Sequence, residues 1–250
     1  GWGIHAGLYA LRFAKQGFLG SPEIFEGPQG LFMSHIGDTS HLQKEFSDFG
    51  KHWITGEIAF KFYPVCHMMH SHLDILSRLM NEHHITAQQI ESITATLYPR
   101  AADIIGLPPE QKKRPDNTYL MRFSIQYILG VAALKGQLSP GDINMALLKD
   151  PAVLDMIDRV NITVDENMEM PGHFPGAVSI LLKDGQEFSA VQKYETGCPE
   201  NPAKQEDVLR KYCVSTKGLL SEEASNALAA EIKSFDSLDS MAPILSLLKH

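Results

Sequence analysis

Glu57-Ile-Ala-Phe-Lys-Phe-Tyr-Pro-Val-Cys-His-Met-Met-His70 is the stretch on which the fold of this chain turns. Along Glu57–Tyr63 the residues alternate: Ile58, Phe60 and Phe62 fall on one side of an extended segment, Lys61 and Tyr63 on the other. This predicts a strand that Pro64 ends, because proline lacks the N–H a ladder needs and holds its predecessor extended. Met69, Leu73, Leu76 and Met80 then recur at helical spacing, which predicts a helix beginning near Val65 or Cys66. Such a junction aims unpaired N–H groups and the positive end of a helix dipole at one spot. Lys61 and Tyr63 project beside it, and Cys66 and His70, four residues apart, share one side of the first turns. The expected product is a pocket for a small carboxylate.

Downstream, Ile93, Ala95 and Leu97 alternate with Thr94, Thr96 and Tyr98, which predicts a strand. A loop through Pro108-Pro109 and Lys112–Pro115 leads to one long helix from Asn117 or Thr118 to Lys135, stopped by Gly136. Two more helices are expected over Leu138–Lys149 and Asp150–Val160, then a short strand over Asn161–Val164. Val178–Leu182 and Glu187–Val191, joined through Asp184-Gly185, carry a hairpin signal. Helices mixed with non-alternating strands point to an α+β domain over residues 51–197. On either side lie all-α segments: residues 1–50, a helix over 1–18 followed by a turn-rich link, and residues 198–250, with amphipathic stretches at 204–218, 221–235 and 240–249. The chain is mainly α overall.

Of the 250 residues, 44% are hydrophobic and 21% charged, enough apolar material for an ample core. The net charge of −8 argues against nucleic acid as a partner. An anionic ligand then has to be held by a few local cations. Three widely spaced cysteines, Cys66, Cys198 and Cys213, do not form a disulfide framework and suit a reducing, cytoplasmic setting. No apolar run reaches the length of a membrane span.

Lys61-Phe-Tyr63-Pro-Val-Cys66, with His70 and Asp74 following at four-residue intervals, resembles the K-x-Y-P-x-C-x-x-x-H-x-x-x-D signature of the MmgE/PrpD family. Arg122-Phe-Ser-Ile-Gln-Tyr127 with the following Gly-Val-Ala-Ala-Leu-Lys-Gly, and Gly197-Cys-Pro-Glu-Asn201-Pro202, resemble further family segments, so the similarity spans nearly the whole chain. That family includes 2-methylcitrate dehydratases and cis-aconitate decarboxylases. The resemblance implies a two-domain architecture in which residues 51–197 are a lid over an all-helical domain. Residues 198–250 would return to that helical domain, whose first part would precede residue 1. It implies cofactor-free lyase chemistry on a small di- or tricarboxylate and a homodimer. It also implies an active site of which the preceding region supplies essential groups. His5 falls where cis-aconitate decarboxylases carry a catalytic lysine, and Tyr127 matches a tyrosine implicated in the active site.

For the chemistry itself, Lys61, Cys66 and Arg122 are the expected substrate-binding residues, and His70, Tyr127, Tyr63 and His5 the expected proton-transfer residues. The plainer alternative for Tyr127 is a place in the buried stripe with Leu120 and Phe123. His67, His70 and His72 invite a zinc reading, but no closing Cys or carboxylate has the usual spacing, and no metal is expected. No Gly-rich phosphate loop is present, so no nucleotide cofactor is expected. Two alternatives stand beside the lyase: an isomerase or epimerase using the same proton chemistry, and an incomplete chain that binds a separate N-terminal half or another subunit.

Overall fold

The computed structural model describes residues 1–248. The chain divides into two compact units, Gly1–Ile54 and a second that begins at Thr55. In the first unit α1 (Trp2–Lys15) is followed by two short helices, α2 (Leu31–His35) and α3 (Leu42–Glu45). None of the residues of α1 is buried, and its apolar side chains, Trp2, Ile4, Leu8 and Leu11, are all exposed.

The second unit is α+β. In chain order it contains α4 (His70–Glu82), β1 (Ile90–Leu97), α5 (Pro99–Ala101), α6 (Pro109–Lys113), α7 (Thr118–Met121), α8 (Ile125–Lys135), α9 (Pro151–Asp158), β2 (Val160–Val164), β3 (Gly176–Leu182) and β4 (Glu187–Gln192). Three helices close it: α10 (Gln205–Thr216), α11 (Glu222–Lys233) and α12 (Ala242–Leu247). The four strands lie in the order β2-β1-β3-β4, with β1 parallel to β2 and antiparallel to β3, and β3 antiparallel to β4. Ile93 pairs with both Val160 and Ile180, and Ala95 with both Ile162 and Val178. These residues therefore share one sheet face, against which α4 and α8 pack. Every residue from Ile125 to Ala133 is buried, so α8 is enclosed on all sides and sits in the middle of the core, its one buried amide, Gln126, donating to the Gly106 carbonyl. Each such Leu or Ile contributes about 1.5–3 kcal/mol through its removal from water.

The inner side of α4 is fastened by polar groups as well. His72 Nε2 lies 2.9 Å from the Thr96 carbonyl on β1, and Ser71 Oγ donates to the Phe174 carbonyl at 2.6 Å. Both side chains are fully buried, where an unmade hydrogen bond is expensive. Together they fix the rotation of α4 against the sheet.

Three elements differ from expectation. Glu57–Tyr63 is not a strand: a 3₁₀ turn, Ile54–Glu57, runs into irregular chain. The backbone bond that holds this stretch joins Phe60 N–H to the Gly197 carbonyl at 3.1 Å. The facing segment carries Gly197 at φ +99°, Pro199 and Pro202, which cannot extend a ladder. The long helix expected over 117–135 is broken into α7 and α8, because Ser124 adopts extended geometry and caps α8 by accepting from Tyr127 N–H at 3.0 Å. Leu138–Lys149 forms two 3₁₀ turns, Pro140–Asp142 and Met145–Lys149, each opened by its own cap at Ser139 or Asn144. The hairpin, the strands at 90–98 and 161–164 and the three C-terminal helices form as expected; Lys249, the end of the last predicted stretch, lies outside the described residues. No helix of the described residues is long and apolar enough to cross a membrane.

Candidate active site

The residues after Pro64 build one wall of a cleft of about 790 Å³ within the second unit. Cys66 is extended, and its N–H donates to the Arg122 carbonyl at 3.0 Å, pinning the Lys61–Cys66 segment to the break between α7 and α8. That break is held from behind by Lys112, whose ammonium donates to the carbonyls of Ile104 at 2.5 Å and Phe123 at 2.9 Å. A single turn of 3₁₀ helix, His67–Met69, follows before α4 begins at His70. The helical N-terminus is thus displaced from its expected place at Val65 or Cys66. The cleft runs along the side of α4, past Leu73, Asp74 and Ser77, and α10 closes it from across.

Lys61, Tyr63, Cys66 and Arg122 line this cleft together. Arg210 and Lys211, both from α10, join them, so four cationic side chains face two carboxylates, Asp74 and Asp207. Both carboxylates are already engaged. Asp74 accepts from Tyr63 Oη at 2.7 Å and from Gln192 Nε2 at 3.1 Å, while Asp207 pairs with Arg210 and accepts the Lys204 N–H at 3.1 Å. Among the described residues, Lys61, Arg122 and Lys211 have no carboxylate at ion-pair distance. In a chain of net charge −8, this is a local excess of positive charge inside a concave, partly apolar wall. It suits an anion with more than one charge.

His70 sits behind the cleft wall and not in it. It is 1% exposed, its ring meets the edge of Tyr63 at 5.1 Å between centroids, and it packs on His67 at 4.4 Å. Neither ring nitrogen makes a hydrogen bond of good geometry, although the Val65 carbonyl weakly favours its protonated form. Burial, then the neighbouring His67 and Lys61, push its pKa down to about 3. It is a neutral imidazole at physiological pH. Burial and the Asp74 carboxylate push the Tyr63 phenol well above its ordinary value. Tyr63 is therefore a hydrogen-bond donor, not a base.

Tyr127 is not among the residues that line the cleft, and His5 belongs to the first unit. Tyr127 is fully buried, and its hydroxyl donates to the Asp142 carbonyl at 2.6 Å in the core, away from the cleft lining. Tyr127 is thus buried with a local partner for its hydroxyl, but the stripe with Leu120 and Phe123 does not form, since Leu120 is exposed. His5 is exposed on α1 in the first unit, between Trp2 and Tyr9, whose rings lie 5.6 and 4.7 Å from its own. Arg210 and Lys211 carry no sequence signal beyond the amphipathic pattern of α10, and only tertiary structure brings them to the motif. Of the histidines that invited a zinc reading, His67 and His70 pack on each other at 4.4 Å between ring centroids, while His72 points to β1. Three potential ligands do come together in another place, at His173, Glu195 and Cys198.

Comparison with known proteins agrees with the motif. Cis-aconitate decarboxylase of Aspergillus terreus is 23% identical over 266 residues, covering 99% of this chain and 53% of the relative. The cis-aconitate decarboxylase-like protein oryM of Aspergillus oryzae is 21% identical over 97% of this chain and 52% of its own length. The Mus musculus cis-aconitate decarboxylase is 21% identical over 97% of this chain and 50% of its own length. The chain spans about half the length of the curated relatives it matches. The family model for the MmgE/PrpD C-terminal domain matches residues 63–236, from Tyr63 of the cleft wall through α11, and the chain belongs to the MmgE/PrpD family.

Proposed function

We propose that the cleft holds a small di- or tricarboxylate and that the complete protein performs lyase chemistry on it, by dehydration or decarboxylation. The observation that carries this reading is the trio Lys61, Arg122 and Lys211, cationic side chains without carboxylate partners lining one cleft. Loss of CO₂ breaks a carbon–carbon bond and leaves its electron pair on the substrate. Loss of water first needs a proton removed beside a carboxylate. Both routes build negative charge next to a carboxylate, where fixed cations stabilise it. Lys61, on the short segment pinned by Cys66, is the best placed to do so. Arg122 and Lys211 hold the remaining carboxylates. Cys66 lines the wall between them as a contact and not a nucleophile, since no oriented base stands beside it. Neutral His70 supports Tyr63 from behind, and the Tyr63–Asp74 pair is the nearest proton-bearing group in the wall.

The cis-aconitate decarboxylases support this reaction class, and the share of their length that this chain matches supports a divided site. We assign this chain the carboxylate-holding side, with residues 51–197 as a lid and residues 198–250 returning to a helical domain. The remaining acid–base groups would then come from that helical domain. An isomerase or epimerase would use the same cleft and proton chemistry. The uncovered apolar side of α1 favours a partner for the first unit as well, in a homodimer or with a separate N-terminal half. Three free cysteines fit a reducing, cytoplasmic setting.

The test is proton NMR of turnover with citrate, 2-methylcitrate, cis-aconitate and related acids, using this chain alone and then with its upstream coding region restored. Turnover only after restoration supports the divided site and identifies the acid. Turnover by this chain alone would refute the division, and silence in both would refute the lyase reading.

A further inference from the structure

Behind the Lys61 segment lies a second polar cluster that the proposed chemistry does not use. Glu195 is 1% exposed and Cys198 2% exposed, and potential ligand atoms of these two and of His173 all lie within 4.8 Å of one another. A carboxylate buried to this degree calls for a compensating charge, yet no Lys or Arg pairs with Glu195 among the described residues. Its hydrogen-bond donor is the Phe174 N–H at 3.0 Å, His173 Nδ1 stands at 3.8 Å, and His67 lies within its electrostatic reach. His173 Nδ1 is itself buried and makes no hydrogen bond. On the far side of the same ring, Nε2 lies 3.8 Å from a carboxylate oxygen of Glu200. Burial raises the Cys198 thiol above its ordinary value, and the backbone N–H groups of Asn201 and Glu200, turned toward the sulfur, offset only part of this; a cation bound beside the sulfur would act in the opposite sense.

We propose that His173, Glu195 and Cys198 bind a divalent transition-metal ion of the zinc class, with Glu200 orienting the imidazole from behind. The donor set of one nitrogen, one oxygen and one sulfur suits zinc, with bonds of about 2.0–2.3 Å. Ligand atoms around such an ion stand about 3.3–3.8 Å apart. The 3.8 Å between His173 and Glu195 already matches, and the widest separation in the cluster closes with a shift of about 1 Å. A carboxylate on the remote nitrogen of a ligating histidine is the usual outer support of such sites. The ion would supply the charge the buried Glu195 lacks.

The site is structural in position. It joins the loop before β3, which carries His173 and Phe174, to the segment after β4, which carries Glu195 and Cys198. Between those two residues Gly197 accepts the Phe60 N–H and packs so closely on Phe62 that a Cβ there would lie 2.7 Å from its ring. Metal binding would thereby stiffen the support of the segment that carries Lys61. This inference does not rest on the carboxylate reading of the cleft.

The experiment is titration of the purified, untagged chain with cobalt(II) and then zinc(II), followed by absorption spectroscopy. One equivalent of cobalt with a thiolate-to-metal charge-transfer band is expected, and zinc should displace it. Cys198→Ser should abolish the band, and Glu195→Gln, which keeps the side-chain shape, should weaken cobalt binding by at least about tenfold. Cys213→Ser, at an exposed cysteine outside the cluster, should leave the band unchanged. Circular dichroism confirms that each variant is folded, and the Glu195→Gln comparison carries the test if Cys198→Ser is not. No thiolate band in the folded wild-type chain, a band that persists in Cys198→Ser, or unaltered affinity in Glu195→Gln would overturn the assignment.

Discussion

Replacing Tyr127 by phenylalanine separates a structural tyrosine from a catalytic one. The ring would stay in place, since it is fully enclosed between α8 and its neighbours, and the change would remove the bond from its hydroxyl to the Asp142 carbonyl at 2.6 Å. A net hydrogen bond is worth about 0.5–1.5 kcal/mol, and a buried carbonyl left without its partner raises the loss toward about 1–3 kcal/mol. A destabilisation of about 1–2 kcal/mol is therefore expected. With a urea dependence of about 2 kcal/mol per molar, the unfolding midpoint should fall by about 0.5–1 M with unchanged slope. In the complete enzyme kcat/KM should stay within about twofold of wild type, because the hydroxyl does not reach the cleft. An unaltered midpoint combined with a loss of about a hundredfold or more in kcat, the scale of a missing proton-transfer group, would refute this placement.

Two further predictions concern α4. At Gly176 an added Cβ would lie 2.5 Å from Cε1 of the buried His72 ring. Overpacking of this kind costs about 1–3 kcal/mol, and displacing the His72–Thr96 bond adds about 1 kcal/mol. Gly176→Ala should thus lower stability by about 2–4 kcal/mol in urea melts, and a loss below about 0.5 kcal/mol would mean that His72 is not fixed as described. His70 should make the protein acid-sensitive. Its folded pKa is pushed down to about 3, against about 6.5 in an unfolded chain. The unfolded form binds a proton that the folded form refuses, so this residue's contribution is complete above about pH 6.5. It declines on acidification toward pH 3 by up to about 1.4 kcal/mol per pH unit. His67 and His72 are shifted in the same direction by burial. His70→Leu should therefore make the acid limb of the stability profile shallower by about one proton, and a parallel profile would contradict the burial argument.

Local chemistry explains which parts of the fold were legible in the sequence. Asp184-Gly185 announces its hairpin because Gly185 adopts φ +88°, and the turn then sets the register of β3 against β4. Ile93, Ala95 and Leu97 alternate because β1 buries one face on α4 and α8. Alternation at Ile58, Phe60 and Phe62 misleads, because periodicity specifies a face and not a partner, and the available neighbour is a glycine–proline turn. Ser124 lies inside a helical pattern, yet its hydroxyl caps α8 and donates to the Lys112 carbonyl, so the local alternative to helix wins there. That Lys61, Tyr63 and Cys66 line one cleft is legible because they sit in one short motif, which Arg122 joins from the break before α8. Arg210 and Lys211 reach the same cleft from more than eighty residues away. His173, Glu195 and Cys198 have no recognisable ligand spacing, and only the loop before β3 folding onto the segment after β4 unites them.

The central claim is that cations of this cleft hold the substrate's carboxylates, and the most direct test is steady-state kinetics of Lys61→Ala in the complete enzyme, with the acid identified by NMR. Loss of one such charge-assisted contact, worth about 1.5–3 kcal/mol, predicts a fall in kcat/KM of about tenfold to a hundredfold, partly restored by Lys61→Arg. Wild-type kinetics in a folded Lys61→Ala enzyme would contradict the account.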